Sequence, residues 1–397
     1  MSTEHFDIVV IGAGIHGAGI AQAAACYGFR VLVLEKQGIA SGTSSRSSKL
    51  IHGGLRYLET AQFALVRECL HERDLLLRLA PELVRIRPFC IPVYRNSSRS
   101  VAKIAAGLSL YALLGGARKI SRFKTIPRAY WDQLDGLSTD HLRTVFQYSD
   151  AQTDDKELTK AVLQSAIQLG AELRMPAHFS AAEISKICEV QFIENGKQQT
   201  CSAKVLINAA GPWVAEVLAN ITPKQAPVPV DFVQGTHIVL KTHMGERVYY
   251  LEAPQDQRAV FVIPWKNHAM VGTTETLFRN SPEQVKPLAS EVDYLLNTFM
   301  HYFPAIQPQS NNIKHTVIDQ FAGLRVLPVS TTSAFRRPRD TIIQLDNISS
   351  PKVASLYGGK LTAYRATADK VMQQLLPALP RKKPVANTED IKLVPVE

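Results

Sequence analysis

One stretch near the start of the chain, residues 7–36, constrains the fold more than any other. A β-branched apolar run leads directly into three glycines spaced as Gly12-x-Gly14-x-x-Gly17, and a segment of small, apolar residues suited to a helix follows. A second apolar run then ends at Glu35. Because strand, tight turn, helix, strand and acid occur in this order, the stretch predicts a dinucleotide-binding βαβ unit.

The spacing of this unit has a physical basis at each position. Gly12 permits the sharp turn after the strand, Gly14 lets the backbone approach a pyrophosphate, and Gly17 removes a side chain that would separate helix from strand. Glu35 can accept hydrogen bonds from ribose hydroxyls, and its charge would repel the extra phosphate of NADP. The predicted cofactor contacts in this unit are Gly12, Gly14, Ile15, Gly17, Glu35 and Lys36.

A polar loop, residues 41–59, follows where a nicotinamide-binding domain would have its next amphipathic helix. It is dense in Gly, Ser, Thr, Lys, Arg and His, and it shows little apolar pattern before Leu55. Such a loop can fold back along a cofactor, with backbone N–H groups and hydroxyls meeting phosphates and a flavin ring. A solvated loop is the alternative. The residues assigned to the cofactor are Thr43, Ser44, Ser45, Ser48, Lys49, Leu50, His52, Gly53 and Gly54.

Together these two segments resemble the amino-terminal signature of the FAD-dependent glycerol-3-phosphate dehydrogenases, within the D-amino-acid-oxidase-like flavoproteins. The resemblance continues in NAAGPWV, GTHIVL, FVIPW followed by VGTTE, AGLR and GGKLTAYR, and it spans roughly residues 5–370. No single later motif is decisive, but their order and spacing are specific.

The resemblance implies an α/β fold with a discontinuous, Rossmann-like FAD-binding domain and a second substrate domain built on an antiparallel sheet above the flavin. The family also continues with a helical C-terminal domain, which we expect this chain to lack. The expected FAD-binding segments are 1–92, 145–226 and 315–380, the expected substrate or cap segments are 93–144 and 227–314, and 381–397 is expected to be a flexible tail.

The resemblance further implies oxidation of sn-glycerol 3-phosphate to dihydroxyacetone phosphate, with the C2 hydride passing to N5 of a non-covalently held FAD. The sequence leaves open whether His52 is free or bonded to the flavin, and we take it to be free. His237 interrupts an apolar strand and would otherwise be a core residue, but its GTHIVL motif makes it the predicted base, with Arg325 binding the alkoxide or the phosphate. The predicted substrate contacts are Arg56, Tyr57, Thr274 and Lys360. The further predicted cofactor contacts are Ala210, Gly211, Trp213, Gly323, Arg325, Gly359, Lys360, Leu361 and Thr362.

Two alternatives remain open from the sequence. One is an amine or amino-acid oxidase of the same superfamily, for which a carboxylate-binding Arg would suffice. The other is an inactive FAD-binding paralogue, because Glu157 stands where the family usually has Arg and the helical domain is expected to be missing. Thr236, where the family commonly has Ser, is a milder departure.

The charge balance, 45 basic against 35 acidic residues, suits an anionic substrate, an anionic membrane surface or nucleic acid. We predict no nucleic-acid binding and no metal, because aromatic-basic RNA motifs, helix-turn-helix signals and zinc spacing are not seen. The five scattered cysteines predict reduced, buried thiols. The start lacks signal-peptide features, so we expect a cytoplasmic protein.

An apolar segment, residues 104–116, is bracketed by basic residues on both sides. It suits a helix lying in a membrane interface, or equally a buried helix of the cap domain. The family resemblance implies peripheral attachment to the inner face of the membrane, with electrons passing to a quinone. The sequence leaves open whether the acceptor is a quinone or oxygen, and it leaves the oligomeric state unknown.

Overall fold

The computed structural model describes residues 4–306, 316–329 and 341–396, whose strands form two sheets. In chain order the strands are β1 (Glu4–Ile11), β2 (Val31–Leu34), β3 (Leu50–Ile51), β4 (Val84–Tyr94), β5 (Lys124–Thr125), β6 (Leu142–Thr153), β7 (Glu172–Arg174), β8 (Ala177–Ile184), β9 (Cys188–Glu194), β10 (Lys197–Asn208), β11 (Ile221–Thr222), β12 (Val230–Leu240), β13 (Val248–Glu252), β14 (Ala259–Trp265), β15 (His268–Gly272), β16 (Thr276–Phe278), β17 (Val317–Pro328), β18 (Ile342–Leu345) and β19 (Val353–Tyr357). The helices are α1 (Ile15–Cys26), α2 (Phe63–Leu79), α3 (Val101–Leu114), α4 (Asp155–Gln168), α5 (Val214–Ala219), α6 (Ala289–Tyr302) and α7 (Tyr364–Leu375).

The first sheet carries the predicted dinucleotide-binding unit. Its strand order is β11-β8-β9-β10-β1-β2-β7, with β19 also paired to β10 and β18 to β19. β1 lies parallel to both β2 and β10, and its inner residues are fully buried. Helices α4 and α7 both pack on α1 above this sheet, and the three helices form one continuous hydrophobic core with it. The Rossmann-like fold expected from the sequence is therefore confirmed.

The turn between β1 and α1 depends on its glycines. Gly12 has a φ of +101°, a conformation that side chains disfavour, and an added Cβ would lie 2.8 Å from the Ala209 carbonyl oxygen. An added Cβ on Gly17 would overlap the Gly12 carbonyl oxygen, so only glycine lets the helix cross this close to the strand. The Ala-rich helix ends at Cys26, and Gly28 follows with a φ of +76°.

The second sheet has the order β16-β12-β15-β14-β13-β4-β6-β3, with β17 paired to β12 and β5 to β6. Its pairs are antiparallel except for β4 with β13, which agrees with the expected antiparallel substrate sheet. β12 is buried along its second half, and helix α6 packs on it.

Sheet membership differs in part from the segments expected from the sequence. β4 and β6 lie in the second sheet over their whole length, and β17 does too, so segments 1–92, 145–226 and 315–380 contribute strands to both sheets. The reason is that each of these strands pairs with a strand distant in the chain, so the residues around it carry no signal of which sheet it joins. The expected boundary between residues 314 and 315 lies outside the described residues.

Helix α3 corresponds to the apolar segment with basic flanks. Leu108 and Tyr111 are buried in this helix, and Val101, Ile104, Ala105 and Leu114 are partly buried against the same core. Leu113 is its large apolar residue that faces outward, with 68% of its surface exposed. Across residues 4–306, 316–329 and 341–396, none of the helices has both the length and the apolar character needed to cross a bilayer.

The segment expected to be a flexible tail instead lies along the first sheet's helices. Lys382 pairs with Asp7 at 2.6 Å, and the Leu393 backbone N–H donates to the Leu79 carbonyl at 2.8 Å. The Leu393 side chain is buried in the same core as α1 and α7. The polar composition of this segment hid the few apolar residues that hold it in place.

The five cysteines are all buried and free, as expected. Burial raises the pKa of each thiol, to about 11 for Cys26 and Cys69 and to about 12 for the other three. These thiols are therefore protonated at neutral pH and unreactive.

Candidate active site

A cavity of about 630 Å³ lies between the two sheets, with walls from both. Most of the side chains and turns assigned from the sequence line it together. They are Gly12, Gly14, Ile15, Glu35, Lys36, Thr43, Ser44, Ser48, Leu50, His52, Gly54, Arg56, Tyr57, Ala210, Gly211, Trp213, His237, Gly323, Arg325, Gly359, Lys360, Leu361 and Thr362.

One end of the cavity is formed by the glycine turn and the polar loop. The Ile15 backbone N–H donates to Ser44 Oγ at 2.9 Å, and Thr43 Oγ1 donates to the Leu324 carbonyl at 2.9 Å, so the loop folds back against both sheets. Glu35 accepts from the backbone N–H groups of Ala13 at 2.9 Å and Gln37 at 2.8 Å. These bonds fix its carboxylate at the edge of the turn.

The residues present fit a bound FAD. Gly12 and Gly14 form a turn of exposed backbone beside the start of α1, where N–H groups and the helix dipole favour phosphate. Gly358 and Gly359 have φ angles of +73° and +104° and open a second turn into the cavity, beside His16. Lys360 Nζ is buried there with no hydrogen-bond partner among the described residues, which leaves a cation to meet an anionic or carbonyl group.

His237 lies on β12 inside the cavity, with 2% of its surface exposed. Its Nε2 shares a hydrogen bond of 2.9 Å with Ser48 Oγ, and its ring is stacked on Phe321 with 5.0 Å between the ring centres. Burial, Arg325 and Lys49 together lower the pKa of His237 to about 3. The imidazole is therefore neutral at pH 7, with Nδ1 lacking a partner in the described part of the chain.

Four charged side chains from separate segments line the cavity together with His237. Arg325 Nη1 donates to Glu275 Oε1 at 3.0 Å and its Nη2 donates to Thr273 Oγ1 at 3.1 Å. Arg56 Nη1 lies 3.8 Å from the same Glu275 oxygen. Lys360 Nζ lies 3.8 Å from the centre of the Tyr57 ring, which orders both side chains. The arrangement can hold an anion next to a neutral base.

Five assigned residues lie outside the cavity lining. Gly17 contacts the glycine turn from behind, Gly53 donates its N–H to Tyr111 Oη at 2.8 Å, and Ser45 accepts at its carbonyl from Lys49 Nζ at 3.0 Å. Lys49 is buried and pairs with Asp155 of α4 at 2.6 Å, so this ion pair anchors the polar loop to that helix. Its charge still acts on the site, because it helps to lower the pKa of His237.

The prediction that Thr274 binds substrate is corrected by the structure. Its side chain is buried on the opposite side of the chain and donates to Glu291 Oε1 at 2.7 Å. Its neighbours Thr273 and Glu275 line the cavity instead. Thr236 also donates to Glu291, at 2.7 Å, so it stabilises the strand that carries His237.

Sequence reasoning missed His16, Thr273 and Glu275, which line the cavity. His16 sits inside the glycine motif, where only its spacing was considered, and burial lowers the pKa of its ring to about 4. The signal for Glu275 was the period-2 alternation around Thr274, which places residues 273 and 275 on one face. Glu157, the departure from the family pattern, pairs with Lys160 at 3.0 Å on α4.

Comparison with known proteins agrees with this geometry. Residues 7–365 match the family model described as DAO, FAD dependent oxidoreductase. D-erythritol 1-phosphate dehydrogenase of Brucella abortus is 33% identical over 95% of this chain and 75% of its own length. Aerobic glycerol-3-phosphate dehydrogenase of Escherichia coli is 35% identical over 94% of this chain and 74% of its own length.

Among solved structures, the glycerol-3-phosphate dehydrogenase from Bacillus halodurans complexed with FAD aligns with a TM-score of 0.73. The alignment covers 99% of this chain and 68% of that one at 23% identity, which shows a shared fold. With the family match over most of its length and relatives above 30% identity, this chain belongs to the family of FAD-dependent oxidoreductases and uses FAD as its cofactor.

Proposed function

We propose that this enzyme oxidises sn-glycerol 3-phosphate to dihydroxyacetone phosphate. The observation that carries the proposal is the neutral His237 beside Arg325, Arg56 and Lys360 in one cavity. The names of the relatives support the same class of substrate, a phosphorylated polyol. Bound FAD would supply the acceptor for the hydride that leaves C2.

The side chains divide the remaining work. Arg56 and Lys360 hold the phosphate, since a guanidinium binds two phosphate oxygens and an ammonium adds a point charge. His237 accepts the hydroxyl proton as the C2–H bond breaks and the carbonyl forms, and Arg325 stabilises the oxygen as negative charge develops there. A phosphate dianion held in the same cavity by Arg56 and Lys360 would offset part of the positive charge that lowers the pKa of His237, which makes the ring a stronger base in the complex.

An anaerobic titration tests the function. The purified holoenzyme is titrated with glycerol 3-phosphate while the absorbance band of oxidised flavin at about 450 nm is followed. This band belongs to the cofactor itself. Bleaching supports the proposal. Bleaching by erythritol phosphate alone would indicate a longer polyol phosphate, and bleaching by amines alone would indicate an amine oxidase. A flavin that no donor bleaches would indicate the inactive paralogue.

Arg325 and Lys360, two cations that meet the anionic groups of the substrate, form an anion clamp, which is tested separately with Arg325→Ala and Lys360→Ala. Each should weaken transition-state binding by about 2–4 kcal/mol if the contact is charge-assisted and desolvated, which is roughly 30- to 1,000-fold in kcat/KM. Anaerobic stopped-flow reduction gives the rates. Wild-type turnover and substrate affinity in both variants would contradict the clamp.

We also propose that helix α3 attaches the enzyme to an anionic membrane surface, from which a quinone is reached. The exposed Leu113 supports this, as do the exposed Lys103 and Arg118 near the two ends of the helix. Co-sedimentation with anionic vesicles should be lost in Leu113→Glu while flavin content is unchanged. Mixing the reduced enzyme with a soluble quinone or with oxygen identifies the acceptor.

A further inference from the structure

A carboxylate of the protein already lies between the arginines of the proposed site. Glu275 Oε1 accepts from Arg325 at 3.0 Å and lies 3.8 Å from Arg56 Nη1, and only 7% of its side chain is exposed. The same three side chains line the cavity together with His237. One carboxylate oxygen therefore contacts both guanidiniums that a small anionic ligand would approach.

The backbone holds Glu275 in this position from both sides. Thr274 and Thr276 donate to Glu291 Oε1 at 2.7 and 2.8 Å, which fixes the side chains on either side of Glu275 toward α6. Because side chains alternate along an extended chain, Glu275 is directed the other way, into the cavity. Its own carbonyl accepts from Arg258 Nη1 at 3.1 Å. The carboxylate is thus built into the site and is not a mobile surface group.

A fixed internal carboxylate acts differently on different ligands. A ligand with a single carboxylate would have to displace Glu275 from the arginines, against the high effective concentration of that side chain. A phosphate ester carries a second charge and a third oxygen, and it can also use Lys360, whose Nζ has no hydrogen-bond partner within the described residues. The site therefore penalises carboxylates more than phosphates.

We infer that Glu275 is a specificity-determining residue, which excludes carboxylate substrates and so selects phosphate esters in a fold that can accept either anion. The selection of phosphate rests on the proposed function. The exclusion of carboxylates does not, because it follows from the position of Glu275 between two arginines.

The test compares wild type, Glu275→Gln and Glu275→Asp as holoenzymes. Each is titrated with glycerate, the carboxylate counterpart of the substrate, and the dissociation constant is read from the perturbed flavin spectrum. Removing the charge in Glu275→Gln should tighten glycerate binding by about tenfold or more, while Glu275→Asp stays near wild type. The affinity for glycerol 3-phosphate should change by a smaller factor than the affinity for glycerate.

Unchanged glycerate affinity in Glu275→Gln, or an equal gain in Glu275→Asp, would overturn the inference. Flavin content and thermal midpoint are measured for each protein. If Glu275→Gln does not retain FAD, Glu275→Ala removes the same charge and gives the same readout. If glycerate behaves as expected but glycerol 3-phosphate does not bleach the wild-type flavin, the proposed substrate fails and the exclusion of carboxylates stands.

Discussion

His237 lies between two cations, Arg325 and Lys49, in a setting with almost no solvent. Burial is the largest cause of its lowered pKa, and the two cations add to it. A protonated ring there would add a third positive charge in a site shielded from solvent. The same setting that keeps the base ready to accept a proton therefore makes the folded protein sensitive to acid.

This sensitivity can be measured as a pH dependence of stability. The pKa of His237 is lowered in the folded state, so its contribution to stability is fully present above the unfolded value of 6.5 and is lost as pH falls toward about 3. Between pH 7 and pH 5 the wild type should lose about 2 kcal/mol more unfolding free energy than His237→Asn. Urea denaturation of both proteins at both pH values gives the difference. Parallel pH profiles would show that the ring is hydrated.

Single site residues were predictable where a motif fixes them and unpredictable where side-chain direction decides. His237 and Arg325 were predicted from their motifs, and both reach the cavity. Thr274 was placed one residue out of phase, since the face of an extended chain is set by distant partners such as Glu291. Lys49 was expected at the cofactor, but its partner Asp155 comes from a helix far along the chain.

At the scale of elements, the β1–α1 crossing is the tightest contact of the cofactor unit. Gly17→Ala should force the helix away from the Gly12 carbonyl, which should lower the unfolding free energy by about 1–3 kcal/mol and weaken FAD binding. Gly107→Ala, in helix α3, is the matched control, because an added Cβ there meets nothing within 4 Å. This control should be neutral or more stable by up to about 1 kcal/mol. FAD retention and thermal melting report on both, and equal behaviour would contradict the steric argument.

Tyr111 connects helix α3 to the loop that carries Arg56 and Tyr57. Its hydroxyl donates to Asp150 at 2.7 Å and accepts from the Gly53 N–H at 2.8 Å. Tyr111→Phe removes one hydrogen-bond partner each from the Asp150 carboxylate and the Gly53 N–H, which should lower the unfolding free energy by about 1–3 kcal/mol. Because the loop carries Arg56 and Tyr57, KM should rise more than kcat falls. Tyr130→Phe, on an exposed ring, should change neither quantity. An unchanged KM in Tyr111→Phe would show that the loop is held by other contacts.

Local patterns predicted the elements better than their partners. The glycine spacing and the two apolar runs predicted β1, α1 and β2 in their observed order, since such signals act within a few residues. The membership of β17 in the second sheet was not predicted. It pairs along its length with β12, and an apolar run carries no mark of which strand it will join.

At the scale of the whole molecule, the last described segment ties the cofactor unit together. Leu393→Ala should lower the unfolding free energy by about 2–4 kcal/mol, because the side chain is 2% exposed in the core shared with α1 and α7. The neighbouring Val394→Ala is the control and should change stability by less than about 0.5 kcal/mol, since Val394 is 52% exposed. Thermal or chemical unfolding distinguishes the two. Equal effects would mean that the segment detaches before the core unfolds.

The parallel pairing of β1 affects how the protein is made. Ile11 meets Leu34 soon after synthesis, but its other neighbour, Asn208, leaves the ribosome only much later. At usual translation rates of about 5–20 residues per second, that interval is roughly 10–40 s. During this time the apolar run of this strand, Ile8 to Ile11, has one bare edge, which is a template for aggregation. A lower growth temperature, or co-expression of a chaperone, should therefore raise the soluble yield more than any substitution at the flavin site.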